Sequence, residues 1–263
     1  MDGFRIAVQR EPKIDSRYRA HFSANAAMRQ GETDSWENEK RTLSAVVRLS
    51  LAFRHRVVYP AESSIMVKRE KIIPIILAAG SSHRLGIPKP LAEFAGKTAV
   101  RIAVDNCSFL GRPLVVLGCD AKRVRPGVPR ATRVIVNKCW RDGQLSSLLR
   151  ALKLVPSSAA ILIYPVDLPL LRKWTIQQLV RAFRNRKFFQ EIVMPRHRRT
   201  YGHPIIISAA LKSELAEAES AREVVYRIQE RIRGVTVDSS EIYDDFHTLE
   251  TYRKCLRKYK ARN

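Results

Sequence analysis

From about residue 71 onward, continuous apolar runs alternate with amphipathic segments. The apolar runs suit buried strands and lie at residues 72–77, 113–118, 132–136, 159–164, 191–194, 203–207 and 235–237. Segments with helical periodicity separate most of them, at residues 98–108, 143–154, 174–184, 209–217 and 221–231. Strands that are apolar along their whole length belong to parallel sheets covered on both faces. The alternation therefore predicts an α/β fold with a mostly parallel sheet between two helical layers.

Residues 1–65 lack this pattern and show no sustained apolar period. One interpretation takes Met66 as the true start of the protein, because a short charged stretch and then an apolar run follow it directly. The other interpretation takes residues 1–65 as a genuine basic extension. We therefore expect a poorly structured or wrongly assigned segment at residues 1–65 and one domain at residues 66–263.

Charge is strongly unbalanced and unevenly placed. The chain has 48 lysines and arginines against 25 aspartates and glutamates, which is a formal net charge of +23. Residues 122–199 hold 18 of the basic residues, against Asp142, Asp167 and Glu191. Such a field attracts nucleotides, phosphorylated cofactors or nucleic acid, although a solvated arginine-rich face has the same composition. Few aromatic residues lie in the basic region to stack bases, so nucleic acid is the less favoured partner.

Four cysteines in 263 residues, none in C-x-x-C spacing, exclude a disulfide-rich scaffold. Reduced thiols are typical of cytosolic proteins, so we expect a cytoplasmic location. No apolar stretch approaches the roughly 20 residues that a membrane span needs. Charged residues also interrupt the first 15 positions, where a signal peptide would have its apolar core. No association with a membrane is expected.

The segment LAAGSSHRLGIPKPL, at residues 77–91, follows the first predicted strand, at the edge where open α/β sheets bind ligands. Ala78, Ala79 and Gly80 have small or absent side chains, which lets a phosphate or a base approach the backbone N–H groups closely. Arg84 and Lys89 add positive charge that can hold phosphate oxygens. No G-K-[ST] follows, so the loop is not a P-loop. A plain tight turn is the alternative, but two cations in one small-residue loop favour an anion site.

Asp167 ends the fourth predicted strand, within the segment YPVDLP at residues 164–169. A lone carboxylate at the carboxyl end of a strand, in a cationic neighbourhood, suits Mg²⁺ held between protein and phosphate oxygens. The alternative is a structural aspartate that caps the turn which follows it.

A third segment, NKCWRDGQLSSL at residues 137–148, places Gly143 before a predicted helix whose first turn carries Ser146 and Ser147. Free N–H groups at such a helix start favour an anion or the polar edge of a base. Ordinary N-capping by either serine is an equally weighted alternative.

Together these segments resemble the MobA-like nucleotidyltransferase family, whose signature is L-A-[AG]-G-x-[SG]-x-R-[ML]-G-x-x-K-x-L. Residues 77–91 meet every fixed position of this signature, and the resemblance covers about residues 71–253. It implies a loop that wraps a nucleoside triphosphate, with Arg84 and Lys89 on the phosphates and Asp167 on a metal as the catalytic residues. The nucleotide-binding residues that it implies are Leu77, Ala78, Ala79, Gly80, Ser81, Ser82, Gly143, Ser146 and Ser147.

Three further segments carry the resemblance with different fidelity. Residues 164–169 keep the aspartate and proline of the family's G-D-x-P but have Val166 in place of the glycine. Gly202 and His203 match the element G-H-P-[VI], which is associated with the branch acting on molybdenum cofactor, and would contact the acceptor. In residues 244–252, where relatives read D-x-[DN]-T-P-E-D, His247 replaces the second acidic or asparagine position.

This replacement leaves several alternatives for the implied metal site, because imidazole is a poor ligand for hard Mg²⁺ and a good one for softer metals. The alternatives are that Asp245 compensates as a metal ligand beside Asp167, that the metal site is altered, or that activity is reduced.

The resemblance implies a three-layer α/β/α sandwich of the nucleotide-diphospho-sugar transferase type, and nucleotidyl transfer as the reaction. A phosphate oxygen of the acceptor attacks the α-phosphorus of the nucleotide, so positioning and charge neutralisation by Mg²⁺ or Mn²⁺ and by cationic side chains supply the catalysis. The LAAG form at residues 77–80 and the G-H-P at residues 202–204 indicate CTP as donor and molybdopterin cofactor as acceptor, with molybdoenzyme maturation proteins as partners. The alternatives are a sugar 1-phosphate or another metabolite as acceptor, and nucleic-acid binding on a decayed enzyme scaffold.

Overall fold

The computed structural model of the protein describes residues 70–130 and 132–262, all within one compact unit of the chain. The expectations for residues 1–65 lie outside this part of the chain. In chain order, its strands are β1 (Ile72–Ala78), β2 (Glu93–Phe94), β3 (Lys97–Thr98), β4 (Leu114–Leu117), β5 (Arg133–Val136), β6 (Ala160–Pro165), β7 (Ile192–His197), β8 (Thr200–Tyr201), β9 (Ile205–Ile207) and β10 (Ile232–Thr236).

The central sheet has the strand order β10-β7-β9-β6-β1-β4-β5, with the short β8 paired to β7. Neighbouring strands are parallel except for β9, which runs antiparallel to both β6 and β7, and β8, which runs antiparallel to β7. β2 and β3 form a separate antiparallel hairpin. The carboxyl ends of all the parallel strands, and the amino end of β9, therefore lie at one edge of the sheet.

Helices cover both faces of the sheet. They are α1 (Ala99–Cys107), α2 (Ala121–Val124), α3 (Gln144–Leu152), α4 (Lys173–Arg184), α5 (Lys212–Glu217), α6 (Ala221–Arg227) and α7 (Leu249–Arg262). Side chains alternate between the two faces along β1, as they must in a strand. Ile72 and Ile76 pack with α1, α4 and α7, whereas Ile73, Ile75 and Leu77 pack with α3, α5 and α6. The predicted three-layer sandwich with a mostly parallel sheet is confirmed.

Most predicted elements have the expected type, with ends that differ by a few residues. The largest difference is α7 (Leu249–Arg262), a helix that the sequence pattern does not predict. Its apolar side chains are sparse among lysines and arginines, with Tyr252, Cys255, Leu256 and Tyr259 packed on the core. Within residues 70–130 and 132–262, none of the helices has the length and hydrophobicity that crossing a membrane requires.

Candidate active site

The loop that follows β1 turns back on itself at the carboxyl edge of the sheet. Ala79 is buried against the neighbouring strand, whereas Gly80 is exposed. Ser82 lies inside the loop, where its Oγ accepts a hydrogen bond of 2.8 Å from the backbone N–H of Lys89. Its carbonyl accepts from the N–H groups of Leu85 and Gly86. Ser82 thus shapes the loop from within and directs Lys89 toward the sheet edge.

Two glycines at or beside this loop differ in the space available for a side chain. A Cβ atom at Gly80 would have no neighbour within 4 Å, so the loop is accessible there. A Cβ atom at Gly118, just after β4, would lie 2.4 Å from the carbonyl oxygen of Ala79 and 2.7 Å from Cβ of Trp140. The sequence reading missed Gly118, although a glycine at the end of a strand beside the loop was a usable signal.

Four side chains from three distant segments meet beside this loop. The ammonium group of Lys89 lies 2.9 Å from Oδ2 of Asp167 and 2.5 Å from Nδ1 of His247. The other ring nitrogen of His247, Nε2, lies 2.9 Å from Oδ2 of Asp245. Lys89 and Asp167 are largely shielded from solvent, with side chains 16% and 18% exposed. A chain of polar contacts therefore runs from Asp167 through Lys89 and His247 to Asp245.

Asp167 is held in place by the backbone around it. The N–H of Val166 donates to the carbonyl of Leu77 at 3.1 Å, which extends the pairing of β6 with β1 by one residue. The hydroxyl of Tyr164 donates to the carbonyl of Leu168 at 3.1 Å. Complete burial raises the pKa of Tyr164 strongly, so that its hydroxyl remains a donor at any physiological pH. The carboxylate is thereby presented at the sheet edge by a rigid turn.

His203 is largely buried next to this cluster. Burial lowers the pKa of its imidazole, and the nearby carboxylates of Asp167 and Asp245 oppose this effect only in part. The ring is therefore neutral near pH 7. A Cβ atom on Gly202 would lie 2.4 Å from the carbonyl oxygen of Ile242, and the N–H of His203 donates to that same oxygen at 2.8 Å. Gly202 is needed for this close backbone approach, which holds His203 at the sheet edge.

Ser146 and Ser147 do not cap α3. The helix begins after Gly143, which has a positive φ of 93°, and no side chain caps its first turn. Both serine hydroxyls instead accept hydrogen bonds from Nδ2 of Asn137, at 2.9 and 3.0 Å. Oδ1 of Asn137 accepts from the N–H of Cys139 at 3.0 Å. Asn137, which the sequence reading did not single out, is thus the buried centre that shapes this segment.

Arg84 is exposed and makes no ion pair within the part of the chain that the structure describes. Beside it, Oγ of Ser81 lies 3.1 Å from Nδ1 of the exposed His83. The two cations of the loop therefore differ, since Lys89 is engaged with Asp167 while Arg84 is free to meet a ligand.

The family resemblance implies a divalent metal near Asp167. Among the described residues, no group of three or more His, Cys, Asp or Glu side chains is arranged to hold a metal ion. Asp167 and His247 do face a single cationic group, the ammonium of Lys89, from two sides. Two protein donors fit a metal whose remaining ligands are phosphate oxygens and water, as is usual for ions that bind with a nucleotide.

Residues 74–235 match the MobA-like NTP transferase domain. The chain belongs to this family. Among curated relatives, the nicotine blue oxidoreductase of Paenarthrobacter nicotinovorans is 32% identical over 157 residues, which cover 56% of this chain and 75% of that protein. The bifunctional protein GlmU of Marinobacter nauticus is 28% identical over 170 residues, or 63% of this chain. The chain spans 37% of that GlmU, so the match concerns one part of it.

Solved structures show the same fold. Rv0371c from Mycobacterium tuberculosis H37Rv superposes with a TM-score of 0.64 and 27% identity, over 72% of this chain and 98% of that one. The molybdopterin-guanine dinucleotide biosynthesis protein A of Archaeoglobus fulgidus is 12% identical, with a TM-score of 0.54 over 72% of this chain and 98% of that one. The predicted nucleotide-diphospho-sugar transferase fold is confirmed, and the protein is a nucleotidyltransferase.

Proposed function

We propose that the protein transfers CMP from CTP to a phosphorylated acceptor, molybdopterin cofactor, and releases pyrophosphate. The observation that carries this proposal is the convergence of Lys89, Asp167 and His247 beside an accessible small-residue loop at the carboxyl edge of the sheet. Ligands of open α/β sheets bind at that edge. A cation and a carboxylate held together there suit a reaction that joins two anions.

The proposed chemistry assigns each residue a task. The backbone around Gly80 is open for a phosphate or base to approach. The exposed guanidinium of Arg84 and the ammonium of Lys89 would hold the triphosphate and offset the charge that builds up on the leaving pyrophosphate. Asp167 would hold a divalent metal, Mg²⁺ or Mn²⁺, which supplies charge neutralisation between nucleotide and acceptor. The acceptor brings its own nucleophilic phosphate oxygen, so no activated serine or cysteine is needed.

The nucleotide contacts proposed on the far side of the loop come from α3. Its first N–H groups have no side-chain cap, and Gly143 leaves the approach to them open. Ser146 and Ser147 would contribute by holding this segment through Asn137 as well as by direct contact. CTP is favoured by the LAAG form of residues 77–80, and one neighbour of the same fold was solved with CTP.

The acceptor would lie on the side of Gly202 and His203. A neutral, largely buried imidazole at the sheet edge can exchange hydrogen bonds with a polar heterocycle. The neighbouring Arg196, Arg198 and Arg199 are basic and can attract a phosphorylated acceptor. Cys107, Cys119, Cys139 and Cys255 are all free thiols, which fits a cytoplasmic protein that passes its product to molybdoenzyme maturation partners.

A second candidate is a redox activity, because one of the most similar relatives is named an oxidoreductase. The two candidates differ in their products, since an oxidation–reduction reaction releases no pyrophosphate. A sugar 1-phosphate is the second candidate for the acceptor.

The test begins with thermal shifts in the presence of CTP, GTP, ATP and UTP, each with Mg²⁺ and with Mn²⁺. We expect CTP to raise the melting temperature most, since a ligand that binds only the folded state stabilises it. The same protein is then assayed for pyrophosphate release with molybdopterin and with glucose 1-phosphate. Lys89→Ala should abolish release, whereas Lys122→Ala, on the exposed face of α2, should not. Absence of release with every nucleotide and acceptor would contradict the proposal.

A further inference from the structure

A cleft lies between the start of α4 and the segment that follows β10. It has a volume of about 270 Å³ and is lined by Arg172, Trp174, Thr175, Val237, Asp238 and Ser239. None of these is among the residues that the family resemblance assigns to the nucleotide, the metal or the acceptor. The N–H of Val237 donates to the carbonyl of Arg196 at 2.9 Å, where the parallel strands β10 and β7 end. The cleft therefore lies at the carboxyl edge of the sheet.

Arg172 is held at this cleft by a buried carboxylate, that of Glu241. Oε2 of Glu241 accepts a hydrogen bond of 2.8 Å from Nε of Arg172. Oε1 accepts from the backbone N–H of Arg172 at 3.3 Å and from the hydroxyl of Thr175 at 2.5 Å. These bonds engage Nε and leave Nη1 and Nη2 without a hydrogen-bond partner among the described residues, on a side chain that is 51% exposed. Arg172 thus offers two free nitrogen donors from a fixed position.

Trp174 and Asp238 add a flat apolar surface and a negative charge to the cleft. The indole of Trp174 is 52% exposed, although an aromatic ring of this size gains much from burial. Within the part of the chain that the structure describes, Asp238 makes no ion pair, despite a net charge of +23 on the chain. An ionised carboxylate only accepts hydrogen bonds, so its partners carry N–H or O–H groups. An exposed indole beside an unpaired carboxylate suits a flat ring with N–H donors on one edge.

The three side chains together match the edges of one kind of ring. An amino-oxo-pyrimidine fused to a second ring, as in pterin and guanine, has an oxygen and a nitrogen acceptor side by side on one edge and N–H donors on another. Arginine binds the first edge with two donors, as it binds O6 and N7 of guanine. A carboxylate accepts from the N–H edge, and an indole stacks on the face of the ring. The volume of the cleft lies just below the range of about 300–1,000 Å³ for drug-sized ligands, which suits a bicyclic ring.

We infer that this cleft binds an amino-oxo-pyrimidine ring, that of the pterin in the proposed acceptor, between Arg172 and Asp238 and against Trp174. The inference rests on the proposed function for the identity of the acceptor. In the sheet β10 is three strands away from β6, which is about 14 Å at the usual strand spacing. The ring would therefore lie to one side of Asp167, and the phosphate of an elongated acceptor would extend toward it.

The test is calorimetric binding of free rings to the full chain, without nucleotide or metal. Pterin is compared with lumazine, which has a carbonyl in place of the amino group of pterin. We expect pterin to bind at least about tenfold more tightly, because the carbonyl of lumazine would face the carboxylate of Asp238. Guanosine has the same ring edges as pterin and should bind more weakly, because its ribose adds bulk at a small cleft.

Two variants test the contacts separately, and both change exposed side chains. Asp238→Asn should remove the preference for pterin over lumazine, because the asparagine amide can donate to the carbonyl of lumazine. Trp174→Ala should weaken the binding of pterin about tenfold, because it removes the stacking surface. Arg181→Ala, on the exposed side of α4, and Phe109→Ala, at an exposed aromatic ring, are the controls outside the cleft and should bind both rings as the unmodified protein does.

Several results would overturn the inference: no binding of pterin, equal binding of pterin and lumazine, or tighter binding of guanosine by the unmodified protein. Unchanged affinity for pterin in Trp174→Ala, or an unchanged preference in Asp238→Asn, would also overturn it. The proposed function fails separately. Pterin binding in the cleft without pyrophosphate release from CTP and molybdopterin would refute the transfer reaction alone. Pyrophosphate release with the same KM for molybdopterin in Trp174→Ala and in the unmodified protein would refute the cleft alone.

Discussion

Replacing Asp167 by asparagine keeps the size of the side chain and removes its charge. In the structure this charge is paired with Lys89 at 2.9 Å, and the two side chains are only 18% and 16% exposed. Exposed pairs contribute about 0–1 kcal/mol, and breaking a fully buried pair costs about 3–5 kcal/mol. This pair lies between those limits, and the asparagine carbonyl can still accept from Lys89. We therefore expect Asp167→Asn to lose about 1–2 kcal/mol of folding free energy.

Stability and activity are measured on the same preparation of the variant, stability by urea denaturation and activity by pyrophosphate release. A loss of about 1–2 kcal/mol corresponds to a fall in melting temperature of a few degrees for a domain of this size. Pyrophosphate release should collapse, because the proposed mechanism requires Asp167 as the carboxylate ligand of a metal. Asp120→Asn is the control, since Asp120 lies at the same edge and makes no ion pair within the described residues. A variant as stable and as active as the unmodified protein would refute both the ion pair and the metal role.

Three further predictions concern the framework of the site. Gly118→Ala should destabilise the protein by about 1–3 kcal/mol, because its Cβ would lie 2.4 Å from the carbonyl oxygen of Ala79. Gly80→Ala should leave the melting temperature unchanged and weaken the thermal shift that CTP induces, because its Cβ would have no neighbour within 4 Å. Because the folded protein lowers the pKa of His203 from its unfolded value of 6.5, the neutral ring contributes stability above pH 6.5, and this contribution is lost as the pH falls toward the folded pKa. His203→Gln should therefore reduce the difference in stability between pH 7.5 and pH 5. Equal differences in the variant and the unmodified protein would contradict this. Tyr164→Phe should cost about 1 kcal/mol in urea denaturation, because the carbonyl of Leu168 in the Asp167 turn loses the buried hydroxyl and keeps only the N–H of Leu171 as donor. An unchanged midpoint would show that the hydroxyl does not hold the turn.

Local patterns were sufficient for the sheet and for the loop that follows β1. β1 is buried along its whole length and lies between two parallel neighbours, as its continuous apolar run predicted for a strand of a parallel sheet covered on both faces. The helix α7 could not be found in the same way. Its few apolar residues are separated by many lysines and arginines, so the helical period is weak. The helix is stabilised by packing of Tyr252 and Tyr259 on Phe94, which lies far away in the sequence.

The candidate site was predictable in its parts and not in its contacts. Lys89 and Asp167 were both named from the sequence, and their common edge follows because each lies after the carboxyl end of a strand in a parallel sheet. The contact of Lys89 with His247 joins residues 158 positions apart, and no local pattern could predict it. The role of Asn137 in holding Ser146 and Ser147 could not be predicted either. A serine near the start of a helix can cap the helix or accept a hydrogen bond from a side chain, and the sequence does not distinguish the two.

The fate of a radioactive label distinguishes nucleotidyl transfer from every other use of the nucleotide. CTP carrying ³²P at the α position, and separately at the γ position, is incubated with the protein, Mn²⁺ and molybdopterin, and the products are separated. We expect the α label on the acceptor and the γ label in pyrophosphate, and we expect Lys89→Ala to move neither label. The γ label on the acceptor, or consumption of molybdopterin with neither label moved, would contradict nucleotidyl transfer at this site.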